Sequence, residues 1–129
     1  MHRTFPVIYV RDVPRALDFY AGLLGFEQRY QFPPEGDAVY VGMHRDGASL
    51  GIVHESSPQQ LIGQGMGDGP RFELFVYVDA VDETVDRARG AGVPVLREPE
   101  DMPWGERLAF VADPEGNPVT LAQGSSDGA

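Results

Sequence analysis

The sequence predicts an α+β fold made of two copies of a βαβββ module. Three observations lead there. The chain reads twice at a nearly constant offset, each half shows the same order of strands and helix, and a turn rich in Asp and Gly joins the last two strands of each half. A repeat of this length marks a structural unit used twice. Tyr9-Val10-Arg11-Asp12-Val13-Pro14-Arg15-Ala16-Leu17-Asp18 lies over the segment starting at Tyr77 at an offset of 68. Tyr9, Val10, Val13 and Asp18 then meet identical residues, and Leu17 meets Val85. Residues 46–52 lie over residues 115–121 at an offset of 69, so a single insertion reconciles both ends.

The elements follow in order. Residues 5–10 are β-branched and aromatic with charge at the border, the composition of a strand. A helix is predicted over 14–24: Pro14 suits a first turn, and Val13, Ala16, Leu17, Tyr20 and Leu24 form an apolar stripe of helical period. Gly25 is placed to end it in the left-handed conformation. Strands are expected over 26–31, 38–44 and 48–54, the last two joined by Asp46-Gly47, a two-residue hairpin signal. In the second half, 72–78 reads as a strand and 81–90 as a helix with Asp82 and Glu83 at its positive end. Gly92 is the expected cap, and strands over 93–97, 107–112 and 118–122 complete the half. Modules 4–55 and 71–122 are thus joined by a linker over 56–70 that holds four glycines and two prolines, with a flexible tail over 124–129. Each module is too small to be stable alone, so 1–129 is read as one domain.

Composition narrows the chemistry. With 129 residues of which 42% are hydrophobic, the chain can bury a core. No apolar run approaches the ~18 residues of a membrane span. The opening residues lack the apolar stretch of a secretory signal, so a cytoplasmic location is expected. The absence of cysteine excludes disulfides, thiolate zinc sites and a Cys nucleophile. All ten basic residues are arginines, which rules out a P-loop lysine and leaves only the α-amine for a Schiff base. A net charge of -10 repels nucleic acid and leaves two readings open, attraction of a cationic ligand or a solvated surface.

On these residues the sequence resembles the vicinal oxygen chelate superfamily, which includes glyoxalase I, extradiol dioxygenases and bleomycin-resistance proteins. The resemblance spans roughly residues 4–122 and rests on several motifs in order. These are the Asp12-Val13 helix opening, Asp18-Phe19-Tyr20 followed by Leu24-Gly25-Phe26, Pro103-Trp104-Gly105-Glu106, and Asp113-Pro114-Glu115-Gly116-Asn117. It implies curled mixed sheets around a cavity, the glyoxalase/bleomycin-resistance fold, commonly in a homodimer.

Metal-using relatives hold a divalent ion on the first and last strands of each module. Carried over by spacing, those positions hold Phe5, Gly51, Glu73 and Thr120. Only Glu73 is a plausible ligand, and one carboxylate does not hold a catalytic divalent cation. No metal, no other cofactor and no catalytic residue are therefore expected. The histidines do not rescue the set: His2 is near the terminus, His44 and His54 close strands, and His54 and Glu55 point to opposite faces. The alternating glycines at 63, 65, 67 and 69 read as linker, because the segment precedes a strand and contains Asp68.

What remains is an apolar, aromatic pocket. Phe5, Val7 and Tyr9 share one face, and Glu73, Phe75 and Tyr77 share another. Pairing Arg45 with Ala48 sets Gly51 opposite Gly42 and adds Tyr40 to the first face. Trp104, beside Glu106, and Phe32, before Pro33-Pro34, are the candidate stacking walls. Core filling is the competing reading for Phe5, Phe75 and the tyrosines. Glu73 has three open roles: an ion pair with an arginine, a contact to ligand, or a lone general base.

The expected function is metal-independent capture of a small aromatic or cationic molecule, such as a bleomycin-like antibiotic, with resistance by sequestration. The alternatives are a lyase, isomerase or dioxygenase that uses a weakly held metal or Glu73, and an accessory module without a small ligand.

Overall fold

The structure, a computed structural model, describes residues 4–124. The chain divides between Gly67 and Asp68 into two compact units. The first contains β1 (Val7–Val10), α1 (Val13–Leu17), β2 (Glu27–Phe32), β3 (Tyr40–Arg45), β4 (Ala48–His54) and α2 (Ser56–Ile62). The second contains β5 (Leu74–Tyr77), α3 (Val81–Gly90), β6 (Val95–Asp101), β7 (Arg107–Ala112) and β8 (Pro118–Gln123). Each unit has one four-stranded mixed sheet, ordered β1-β4-β3-β2 in the first and β5-β8-β7-β6 in the second. The opening strand runs parallel to the closing one, and the other pairs are antiparallel. The repeat extends to register: Val7 pairs with Gly51, and Phe75, 68 residues on, pairs with Thr120, 69 residues on.

Alternation along the strands creates the two faces of each sheet. In the first unit Ile8, Val10, Val41, Met43, Leu50 and Ile52 are buried, as are Val13, Ala16, Phe19, Tyr20 and Leu23 of the helix. Each buried Val, Leu, Ile, Met or Phe side chain among them stabilises the fold by about 1.5–3 kcal/mol. Asp12 starts α1, its carboxylate accepting from the Arg15 N–H at 3.0 Å. Beyond Leu17 the helix widens to π winding over Asp18–Leu23, with the Leu24 N–H bonded to the Phe19 carbonyl at 3.2 Å. Phe19 and Leu23, at i+3 and i+7 from Ala16, are buried as well and widen the apolar stripe on that side. Gly25 and Gly92 take the expected positive φ, 80° and 77°. At the hairpin it is Asp46 that takes the positive φ, 52°.

In the second unit Val76, Ala109, Val111, Val119 and Leu121 lie with Val81, Thr84, Val85 and Ala88 of α3 in the core. The start of α3 has a tertiary cap, the Gln123 side-chain carbonyl accepting from the Val81 N–H at 2.9 Å. The Asp113–Asn117 motif is a structural clamp. The Asp113 carboxylate accepts from the backbone N–H groups of Glu115 (2.9 Å) and Asn117 (2.8 Å) and from the Asn117 amide (3.0 Å). The Asn117 amide carbonyl in turn accepts from the Arg71 N–H at 2.9 Å, tying the turn before β8 to the segment that leads into β5.

Two expectations are corrected. Residues 56–70 are not linker throughout, because Ser56–Ile62 is helical. Leu61 and Ile62 are exposed there, so the helix lacks the apolar stripe that reveals such an element. The opening strands also start two residues later than read: β1 begins at Val7 and β5 at Leu74, so Phe5 and Glu73 sit just before their strands. Glu73 is exposed, and the cost of a carboxylate inside an apolar strand does not arise. His2 and residues 125–129 of the expected tail lie outside the described residues. Among those described, no helix is long and apolar enough to cross a membrane.

Candidate functional site

Each sheet has a second face, opposite its helix, and the candidate residues fall on these faces. In the first unit two cross-strand rows form it: Val7–Gly51–Gly42–Tyr30 and Tyr9–Val53–Tyr40–Phe32. Val7, Tyr30 and Phe32 are exposed, and Tyr9 and Tyr40 half-buried. Phe5 is half-buried just before β1. The Tyr30 and Tyr40 rings meet edge to face at 6.0 Å between centroids. Gly51 is no open floor, because the Tyr40 ring lies over it: a Cβ built there would stand 2.8 Å from the Tyr40 hydroxyl.

In the second unit the matching rows are Phe75–Thr120–Phe110–Arg97 and, one step along, Tyr77–Ala122–Leu108–Glu100. Phe75 and Tyr77 remain 47% and 51% exposed although they sit on a sheet, and their rings lie 5.3 Å apart. Thr120 is buried, and its hydroxyl donates to Glu73 Oε2 at 3.0 Å. Of the three roles open to Glu73, this contact supplies a partner that was not among them. The Arg71 side chain meets Glu115 at 3.6 Å.

Glu106 organises the aromatic part. Its Oε2 accepts from the Tyr77 hydroxyl at 2.5 Å and its Oε1 from the Trp104 indole N–H at 2.9 Å. The loop holding Trp104 closes through the Met102 N–H to the Glu106 carbonyl, 2.7 Å, and bends at Gly105, whose φ is 100°. Trp104 is 65% exposed, so the indole edge is tethered while its face is open. The hydrogen bonds from Tyr77 and then Trp104 hold the Glu106 carboxyl below its ordinary pKa. The same bond to Glu106, with desolvation and the carboxylate charge, raises the Tyr77 phenol.

The sequence reading missed Tyr30 and Phe110. Tyr30 was legible, two residues before Phe32 on the same strand. Phe110 was not: it is opposite Thr120 only because the five-residue clamp sets the β7–β8 register.

A divalent ion needs several oxygen or nitrogen donors converging on one point. At the four positions where such an ion is expected there are a phenyl ring, a glycine, one carboxylate and a hydroxyl whose proton already points at that carboxylate. Among the described residues no group of three or more His, Asp or Glu side chains is gathered for a metal. This donor set does not fit.

The family model decides the wider kinship: the Glyoxalase/Bleomycin resistance protein/Dioxygenase superfamily matches residues 2–121. The chain belongs to this superfamily. A superfamily relative from Synechocystis sp. (strain PCC 6803), named "Probable lactoylglutathione lyase", is 31% identical over 127 residues, covering 93% of each chain. The Mycobacterium bovis protein Mb0911c is 29% identical over 123 residues, 92% of this chain and 80% of that one. Among solved structures, hypothetical protein SA1046 from S. aureus superposes with a TM-score of 0.78 at 21% identity, covering 95% of this chain and 94% of that one. That likeness is one of fold.

Proposed function

We propose that this superfamily member is a metal-independent binding protein that captures a small aromatic or cationic molecule, such as a bleomycin-like antibiotic, and confers resistance by sequestration. One observation carries the reading. Phe75, Tyr77 and Trp104 present exposed ring faces around the Glu106 carboxylate, while Glu73 is engaged by Thr120 instead of joining a metal set. A ring stacked on a planar or cationic ligand contributes about 0.5–2 kcal/mol, so two or three rings supply about 1–6 kcal/mol of the roughly 8 kcal/mol that micromolar capture needs, and burial of the ligand's apolar surface supplies the rest. The protein acts as a cytoplasmic homodimer with no nucleic-acid or membrane partner.

The chain has one tryptophan, so its fluorescence reports on this site alone. Titration with bleomycin is expected to quench Trp104, and chromatography to return the antibiotic unmodified. A transformed product overturns the reading. So does the absence of quenching by bleomycin together with a panel of flat cationic and neutral aromatics.

A second reading, a metal-dependent lyase, is favoured by the 31% identity to the Synechocystis protein. Metal analysis of protein purified without chelators separates the two. Stoichiometric Ni²⁺, Zn²⁺, Mn²⁺ or Fe²⁺, lost together with activity in Glu73→Ala, supports the lyase.

A further inference from the structure

The helix α2 has little of its own to hold it. It is seven residues long, short of what an isolated helix needs in water, and it buries Pro58 while Leu61 and Ile62 point outward. Two of its backbone bonds are long, the Gln59 N–H to the Glu55 carbonyl at 3.5 Å and the Gln64 N–H to the Pro58 carbonyl at 3.4 Å. Glu55 stands at its N-cap and gives the helix no side-chain bond. Few buried contacts and exposed, long backbone bonds mark a segment of low local stability.

The first turn is tied instead by a histidine. His54 ends β4 and is fixed by the sheet: it pairs with Val10 of β1, and its N–H donates to the Val39 carbonyl at 2.8 Å. Its ring turns back over the next two residues, Nδ1 accepting from the Ser56 N–H at 3.2 Å and lying 2.9 Å from Ser56 Oγ. A backbone amide can only donate, so Nδ1 carries no proton and the ring is the neutral tautomer with its hydrogen on Nε2. An added proton therefore has one place to go, Nδ1 itself. It turns the acceptor into a donor facing the Ser56 N–H, and it sets a positive charge at the positive end of the helix.

Nothing else on α2 ionises, since Ser56–Ile62 has no titratable side chain, and in β4 His54 is the one that does. The charged groups on the neighbouring elements are four. Arg11, at the end of β1, meets Glu55 at 3.7 Å. Asp12 accepts from the Arg15 N–H at the start of α1, Arg15 itself lies on α1, and Asp37 precedes β3. We propose that His54 is a proton-operated latch on α2: the neutral ring holds Ser56 and the first turn, and proton uptake lets them go. The stabilisation is present with the ring neutral and is lost as pH falls through the titration of the ring. With α2 released, residues 56–67, which end at the boundary of the two units, hold no helix.

The test is NMR of the whole chain between about pH 8 and pH 5, the interval in which histidine is the side chain that ordinarily titrates. Helical Cα shifts over residues 56–62 report α2, and the ¹⁵N shifts of the His54 ring report its tautomer and its titration. At the alkaline end the ring is expected to show Nδ1 without hydrogen. As pH falls, the folded-to-frayed ratio of α2 is expected to drop by about fivefold or more, the worth of one backbone hydrogen bond, with the midpoint of the ring. His54→Asn puts a carbonyl oxygen where Nδ1 stood, an acceptor that takes up no proton in this interval, and is expected to keep α2 helical at every pH. His54→Leu removes the acceptor and is expected to leave α2 frayed at every pH. Helical shifts that do not change with pH in the parent chain overturn the proposal. So do an unaltered pH response in His54→Asn, a helix that survives His54→Leu, or a ring with hydrogen on Nδ1 at the alkaline end. The β4 amides, which precede the latch, check in each variant that the sheet is intact.

Discussion

Glu106 shows how one carboxylate sets the behaviour of two rings. Its oxygens accept from Tyr77 and Trp104, so Glu106→Leu, which keeps neither acceptor, releases both rings. The expected result is lower fluorescence anisotropy at Trp104 with unchanged far-UV circular dichroism. The two pKa shifts fix the direction of the pH dependence. The Glu106 carboxyl is depressed, so what its hydrogen bonds contribute is complete above the ordinary carboxylate pKa and is lost as pH falls through the lower folded value. The Tyr77 phenol is raised, so its share is complete below the ordinary phenol value of about 10 and is lost as pH rises through the higher folded one. Trp104 emission is expected to stay level between these limits and to change outside them, with the acid limb missing in Glu106→Leu. Asp46 offers a backbone test: its φ of 52° suits Asp and Asn but strains a β-branched residue. Asp46→Val is expected to cost about 1–2 kcal/mol in urea denaturation, and Asp46→Asn close to nothing.

At the scale of elements, the motifs that mark the chain prove to be structural joints. Asp12 caps α1, and Asp12→Ala is expected to cost about 1 kcal/mol. Asn117 is 1% exposed and joins Asp113 to Arg71, so Asn117→Ala leaves buried hydrogen-bonding groups without their partner. A loss of about 2–3 kcal/mol is expected, read as a lower midpoint at unchanged m-value. Periodicity and turn chemistry made most elements legible: the strands at Ala48–His54 and Arg107–Ala112 and the helix at Val81–Gly90 start and stop where the residues indicate. It failed where a tertiary partner decides. α2 carries no apolar stripe, and β1 and β5 begin only where a ladder partner exists.

For the whole molecule, duplication sets the architecture while divergence sets the chemistry. Both units keep one strand order and, in their parallel pair and central hairpin, one register, yet the metal-equivalent positions hold Phe5 and Gly51 in one unit and Glu73 and Thr120 in the other. If no metal is part of the working protein, a chelator removes no folding free energy. The melting temperature and bleomycin-induced quenching are therefore expected to be the same before and after exhaustive treatment with EDTA. A drop in melting temperature restored by one divalent ion is the outcome that supports the lyase.

The amino-acid order alone determined the two-module plan, the pairing of Gly51 with Gly42, the aromatic faces and the poverty of metal donors. Those depend on local periodicity, a two-residue turn and residue identity. Only the tertiary structure decided that Thr120 meets Glu73, that Glu106 gathers Tyr77 and Trp104, and that Tyr40 lies over the glycines. Each is a side-chain contact between residues brought together by strand register and loop closure, and its direction in space is carried by no local pattern.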